Sequence, residues 1–229
     1  MTIKNYKNRI TNLNFSCFLR TLKDVKEISI MRTLMNQLIE TINFEGELLD
    51  IGGGQKSNYR EILKCTNYTS VNIDKKILPD FLIKVNEKIP VDDNSYDLCL
   101  MFNVLEHIYD WNLIFREVKR LLKSNGKIYI IIPFLYPIHA APNDYMRVTS
   151  SFLEKFLNKN NFINIKIYPL TYGPFTNSQI TGYSHKKIKA IQSLFSVTLD
   201  RIFRFLFLKK FIKYSETNPL FYFVEATLD

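Results

Sequence analysis

Glu47-Leu48-Leu49-Asp50-Ile51-Gly52-Gly53-Gly54 decides the fold of this 229-residue chain. Leu48, Leu49 and Ile51 make a short apolar run between Gly46 and the glycine triplet, the pattern of a central strand buried on both faces. The glycines permit a tight turn and let a backbone approach a ligand with no Cβ in the way. Asn58 to Lys64 has helical spacing, with Tyr59, Ile62 and Leu63 on one side. Strand, turn and helix N-terminus are therefore expected to form a nucleotide-binding corner. About twenty residues past the triplet, Val71-Asn72-Ile73-Asp74 predicts a second strand ending in an acid, suited to accept both hydroxyls of a ribose.

The pattern is not the dinucleotide fingerprint G-x-G-x-x-G, whose third glycine falls here on Ser57. An acid, Asp50, stands two residues before Gly52. A carboxylate beside the turn suits a cationic ligand without phosphates better than a pyrophosphate. The stretch thus favours a sulfonium nucleoside over NAD, the alternative being an ordinary glycine loop.

The length suits one α/β domain with additions. No apolar run is long enough to span a bilayer. Met1 to Arg9 lacks the apolar stretch of a secretory signal. Cys17, Cys65 and Cys99 are isolated and read as free thiols of a cytoplasmic protein. The net charge is +9, and Lys186 to Lys213 holds six lysines and two arginines against one acid, Asp200, a local +7. The basicity is confined to that segment and not spread over the chain, so nucleic acid is not the expected partner.

The predicted organisation is an N-terminal helical extension over 1–44, with a helix from about Val25 to Thr41, followed by a domain over 45–229. In that domain Phe81 to Val85 is a third strand and Tyr96 to Phe102 a fourth. Asp110 caps a helix from Trp111 to Leu122. Asn125-Gly126 stops it, and Lys127 to Ile132 is a fifth strand. Thr149 to Asn160 reads as a helix, Phe162 to Tyr168 as a strand, and Leu220 to Thr227 as the last strand. A basic helical insertion fills 170–219. Alternating strands and helices imply a mostly parallel sheet with its site beyond the strands' C-terminal ends, where loops 52–58, 103–108 and 133–147 emerge.

These residues, taken with Ile89-Pro90-x-x-Asp93-Asn94-Ser95-Tyr96-Asp97 and Asn103-Val104-Leu105-Glu106-His107-Ile108, resemble the class I S-adenosylmethionine-dependent methyltransferases of the small-molecule branch. The likeness runs from about residue 47 to 168. It implies a Rossmann-like, seven-stranded, mostly parallel sheet with an antiparallel last strand and helices on both faces. Pro133-Phe134-x-Tyr136-Pro137-x-His139-x-x-Pro142-x-Asp144-Tyr145-x-Arg147 is similar to a subgroup often encoded among surface-polysaccharide genes, which implies a sugar or lipid-linked glycan acceptor. By resemblance, Gly52 and Gly54 would pass under the methionine part of S-adenosylmethionine, and Asp50 would meet its amino group directly or through water. Asp74 would hold the ribose hydroxyls. Val85 through its backbone and Asn86 would meet the adenine, and Asn103 would lie near the methionine end. The subgroup often has an acid where Lys84 stands here.

Methyl transfer from a sulfonium to a hydroxyl needs positioning and a base for the departing proton. His139 is the first choice, with Asp144 orienting it; the alternative is a histidine that braces its loop. His107, Tyr145 and Arg147 are candidates for acceptor contact, and Arg147 alternatively pairs with Asp144 only to stiffen the loop. His185 reads as a solvated group. No cluster has metal-ligand spacing, so no metal is expected. In the basic insertion Ile188, Ile191, Phe195, Leu199, Ile202 and Leu206 form one helical stripe. It is read as a cap packed on the domain or on a second subunit, as a helix lying on an anionic membrane, or as a nucleic-acid groove. The competing functional readings are a catalytically silent adaptor of the same fold and an RNA methyltransferase.

Overall fold

The computed structural model describes residues 15–25, 27–140, 142–182 and 188–229. In chain order the elements are α1 (Phe15–Asp24), α2 (Ile30–Ile39), β1 (Asn43–Ile51), β2 (Lys64–Asn72), β3 (Phe81–Leu82), β4 (Tyr96–Phe102), α3 (Trp111–Leu121), β5 (Leu122–Pro133), α4 (Ser150–Lys159), β6 (Phe162–Leu170), α5 (Pro174–Thr181), α6 (Lys189–Leu206), α7 (Leu208–Thr217) and β7 (Phe221–Leu228). They fall into two compact units, one over 43–134, 138–167 and 222–229, the other over 1–42, 135–137 and 168–221.

The first unit is built on the sheet, whose strand order is β3-β2-β1-β4-β5-β7-β6. β1 pairs in parallel with β2 and β4, and β4 in parallel with β5. The Leu220 N–H donates to the Leu170 carbonyl at 2.8 Å, and the Asp229 N–H to the Asn161 carbonyl at 2.9 Å. Those two pairs fix β7 antiparallel to β6, as expected for the last strand. The strand order reverses between β1 and β4, so the loops after them flank a switch point, where ligands bind in open α/β sheets. Leu48, Leu49, Leu100, Met101 and Ile130 are fully buried, which accounts for their unbroken apolar character. The α3 helix starts where predicted, with the Asp110 carboxylate accepting from the Asn112 N–H at 2.9 Å. It lays Phe115 and Val118 on the sheet, each burial contributing about 1.5–3 kcal/mol.

Three expectations are corrected here. The strand β1 begins before Glu47, crossing a register shift at Gly46, whose φ is +100°. Asn58 to Lys64 is not a helix: only a single 3-10 turn, Arg60–Ile62, separates the glycine turn from β2. The third strand stops at Leu82 and leaves Lys84, Val85 and Asn86 in a loop.

In the second unit the helix expected over Val25 to Thr41 is shorter, starting after Ser29, which caps it, and α1 precedes it. The Gln37 amide donates to the Thr21 hydroxyl at 2.6 Å and accepts from Tyr172 at 3.1 Å, all three buried, so the N-terminal helices and the insertion share one polar core. Asp200 on α6 is buried and caps α5 from a distance, accepting from the Phe175 and Thr176 N–H groups at 2.9 and 2.8 Å. Burial raises its pKa. Gly173, at φ +153°, leaves room for that carboxylate, since a Cβ there would lie 2.4 Å from it. The α6 helix buries Ser193, Ser196, Val197 and Asp200, while Ile191, Phe195 and Ile202 of the predicted stripe are exposed and Phe205 beside them is 86 % exposed. The stripe faces outward. His185, Lys186 and Lys187 lie outside the described residues. No helix among the described residues is long and apolar enough to cross a membrane.

Candidate functional site

The glycine turn is held from below by one side chain. The Asn72 amide, at the end of β2, donates to the carbonyls of Gly52 at 2.7 Å and Gly53 at 3.2 Å. Its oxygen accepts from the Asp74 N–H at 3.0 Å. A single planar group therefore sets the turn and the acid expected to grip a ribose in one register. Asp74 is exposed, and its Oδ1 accepts from the Lys76 N–H at 2.9 Å, which orients the carboxyl. Val85 and Asn86 are exposed in the neighbouring loop, Asn86 at φ 63°. Asn103 ends β4 at φ 55° and donates its N–H to the Ile131 carbonyl at 2.8 Å.

The reason for glycine differs from the sequence expectation. A Cβ on Gly52, which sits at φ +86°, would lie 2.2 Å from the Val104 side chain. One on Gly53 would lie 1.9 Å from the Asp50 carboxylate, and one on Gly54 2.4 Å from the Ile77 carbonyl. The space left by each missing side chain is filled by protein, so a ligand meets this turn through its backbone. Gln55 and Lys56 continue that packing, their N–H groups donating to the Leu78 and Ile77 carbonyls.

Asp50 is fully buried. Both its oxygens accept from the Tyr59 hydroxyl, at 3.1 and 2.9 Å, and Oδ2 also accepts from Tyr68 at 2.8 Å. Burial pushes its pKa up to about 7, against the opposing pull of both tyrosines and the nearby Arg60 cation. Two phenols thus seal the carboxyl behind the glycine turn. Tyr68, Arg60 and Asn72 were missed in the sequence; the signal for Asn72 was an amide two residues before the strand's acid.

A second cluster lies on the loops after β4 and β5. Tyr145 donates its N–H to the Glu106 carbonyl at 2.8 Å, tying the two loops together. Asp144 accepts from the His139 N–H at 2.9 Å and forms a two-pronged pair with Arg147, of which the Nη2–Oδ2 arm is 2.7 Å. That guanidinium holds the Asp144 carboxyl down at about 2. The His139 Nδ1 lies 3.4 Å from Asp144 Oδ2, and the His107 Nδ1 lies 2.5 Å from the Asn143 carbonyl. The two imidazole rings meet edge to face at 5.1 Å. Tyr145 is exposed and packs its ring against Tyr109. His107, His139, Asp144, Tyr145 and Arg147 are thus neighbours. Glu106 is fully buried, and burial pushes its pKa up to about 8. Neither of its carboxylate oxygens has a hydrogen-bond partner among the described residues.

Residues 49–130 match the family described as "Methyltransferase domain", the segment that holds the glycine turn, Asp74 and the loop after β4. The match covers 82 of the chain's 229 residues, and a methyltransferase domain is what that segment is similar to. An uncharacterised protein of Methanocaldococcus jannaschii is 31% identical over 91 residues, 37% of this chain and 40% of that one. This chain thus spans well under half the length of that curated relative. Among solved structures, a Thermotoga maritima S-adenosylmethionine-dependent methyltransferase, described as a possible histamine N-methyltransferase, shares the fold at TM-score 0.58 and 15% identity, covering 94% of this chain and 100% of that one. Phosphoethanolamine N-methyltransferase 2 of Haemonchus contortus, solved with phosphomonomethylethanolamine and S-adenosylhomocysteine, aligns at TM-score 0.53 and 14% identity over 85% of this chain and 52% of that one. At these identities the likeness is one of fold.

Proposed function

We propose that this chain is an S-adenosylmethionine-dependent methyltransferase acting on an oxygen of a small polar acceptor, a sugar or a lipid-linked glycan precursor. The observation that carries it is the Asn72 brace, which sets the glycine turn and Asp74 in one register within the segment similar to a methyltransferase domain. The relatives solved with the cofactor or its product support the same choice. In this reading Asp74 accepts the ribose hydroxyls, Asn86 and the Val85 backbone meet the adenine, and Gly52, Gly54 and Asn103 line the methionine end. Asp50 acts behind the turn, through water at most. When bound, the cofactor supplies an electrophilic methyl group.

At the acceptor side, His139 takes the hydroxyl proton, with Asp144 orienting it by accepting from its backbone N–H and facing its Nδ1. His107, Tyr145 and Arg147 bind the acceptor. The Arg147 guanidinium is already engaged by Asp144, so it contributes orientation and a fixed charge rather than a vacant fork. Calorimetry with S-adenosylmethionine against NAD tests the cofactor assignment; tight NAD binding with no sulfonium binding overturns it. Transfer of labelled methyl to a glycan or lipid fraction tests the acceptor class, and its appearance there ends the silent-adaptor reading.

The outward apolar face of α6 supports a peripheral membrane contact for collecting a lipid-linked acceptor. Ile191, Phe195, Phe205 and Leu206 are 60 % or more exposed, and the exposed Lys209 and Lys210 follow them. Cosedimentation with vesicles rich in anionic lipid, lost in the Phe195→Asp/Phe205→Asp double variant, is the expected outcome. Equal cosedimentation of both proteins removes this contact from the reading.

A further inference from the structure

Glu106, His107 and His139 each offer a ligand atom within 4.8 Å of the other two. We propose that these three residues form a binding site for a divalent transition-metal ion, on which the oxygens of the acceptor are held.

Glu106 states the case most strongly. Its side chain has no exposure and its two oxygens have no hydrogen-bond partner among the described residues. A buried carboxylate without a partner is costly unless a proton or a cation completes it. The Arg147 guanidinium, the nearest cation by its effect on Glu106, is taken by Asp144. The His107 Nε2, at 3.7 Å from Glu106 Oε1, is beyond a hydrogen bond. Ligands bound at about 2.1 Å stand about 3.0–3.4 Å apart around one ion, so a small rotation of these side chains closes the set.

The histidines are oriented as ligands are. The Asn143 carbonyl faces His107 Nδ1, and the Asp144 carboxylate faces His139 Nδ1. The carbonyl holds the His107 proton on Nδ1 and leaves that ring's lone pair on Nε2, and a carbonyl or carboxylate behind a histidine is the usual support of a metal ligand. The local charge agrees: Glu106 and Asp144 against Arg147 leave one net negative charge around a dication. Two imidazoles and one carboxylate with open positions suit zinc, cobalt, iron or manganese better than magnesium. No C-x-x-C or H-x-x-x-H spacing announces the site, because His139 joins the adjacent Glu106 and His107 from another loop.

The use of the ion, though not its binding, rests on the proposed function. A hydroxyl bound to the ion loses its proton to solvent water more readily, as metal-bound water does. The oxygen then forms its bond to the methyl carbon as the carbon–sulfur bond breaks, the electron pair staying on sulfur. His139 becomes a ligand and is relieved of the part of base.

The test is titration of chelator-treated full-length protein with Zn2+ alone by calorimetry, with Co2+ as a spectroscopic probe, both without cofactor. One ion per chain is expected. Glu106→Gln and His139→Ala should each weaken binding by about 100-fold, near the upper end of what loss of even an outer-shell partner costs. His139→Ala alters an intermediate-exposure loop residue and serves where the buried Glu106 variant does not fold. Absence of stoichiometric binding, or binding that the His139→Ala protein keeps unchanged, overturns the site. Cofactor calorimetry in the presence of chelator separates the two readings: sulfonium binding without Zn2+ binding removes only the metal, and the converse removes only the methyltransferase assignment.

Discussion

Replacing Asp50 by Asn should remove a pH dependence that the wild-type chain carries in its sheet unit. The carboxyl is fully buried and its folded pKa is about 7, against an ordinary value of 3.8. Its folded value lies above its unfolded one, so between them the native state keeps a proton that the unfolded chain has shed. Stability from this group is therefore complete below about pH 4, falls as pH rises towards about 7, and stays at its lower level beyond. A gap of about three units at about 1.36 kcal/mol each corresponds to about 4 kcal/mol. The amide of the Asp50→Asn variant cannot ionise. It keeps one oxygen for a tyrosine hydroxyl and loses the rest of the acceptor capacity, at about 1 kcal/mol. The variant should be slightly less stable than wild type near pH 4 and more stable by about 3 kcal/mol at pH 8. Urea unfolding from pH 4 to 8, followed by the fluorescence of Trp111, the only tryptophan and a buried residue of this unit, reads the difference directly. Subtracting the variant from wild type cancels other titrating groups, including Glu106. A constant difference across that range would show that Tyr59 and Tyr68 keep the carboxylate ionised in the folded state, and the sealed-carboxyl account would fail.

Asn72→Ala removes three hydrogen bonds that define the glycine turn, each contributing about 0.5–1.5 kcal/mol, so unfolding stability should drop by about 1.5–4.5 kcal/mol. S-adenosylmethionine affinity should fall about tenfold in calorimetry, equivalent to about 1.4 kcal/mol. Gly54→Ala drives a Cβ to 2.4 Å from the Ile77 carbonyl, and because that neighbour is backbone the loss should be about 1–3 kcal/mol by urea unfolding. Asp200→Ala leaves two N–H groups of α5, the one on Thr176 buried, without their acceptor and should lower stability by about 1–3 kcal/mol, read as loss of helical circular dichroism at lower urea. Asp200→Asn, which keeps one acceptor, should lose less.

What could be read along the chain and what could not follow from where each residue finds its partner. The strand Tyr96–Phe102 and the Asp110 cap were legible because their reasons are local: an apolar run and a side chain reaching two residues ahead. The helix expected at Asn58 to Lys64 failed although its spacing was right. Tyr59 sends its hydroxyl back to Asp50, and Leu63 turns extended to enter β2. That tyrosine is committed to a carboxyl nine residues earlier, a demand no periodicity shows. The α6 stripe was found, but the side it marks faces out. Apolar spacing groups residues on one side of a helix without saying what that side meets. The buried side was set by polar partners, Ser193 meeting Gln179 and Asp200 meeting α5. Glu106 is the sharpest case. Beside His107 it reads as a loop residue; in three dimensions it is an enclosed acid facing two imidazoles, with no hydrogen-bond partner among the described residues. Where Asp50 has its tyrosines and Asp200 its amides, Glu106 has only the space between the histidines. A cation there completes it in the way the phenols complete Asp50, which is why its role follows from the structure and not from the motif.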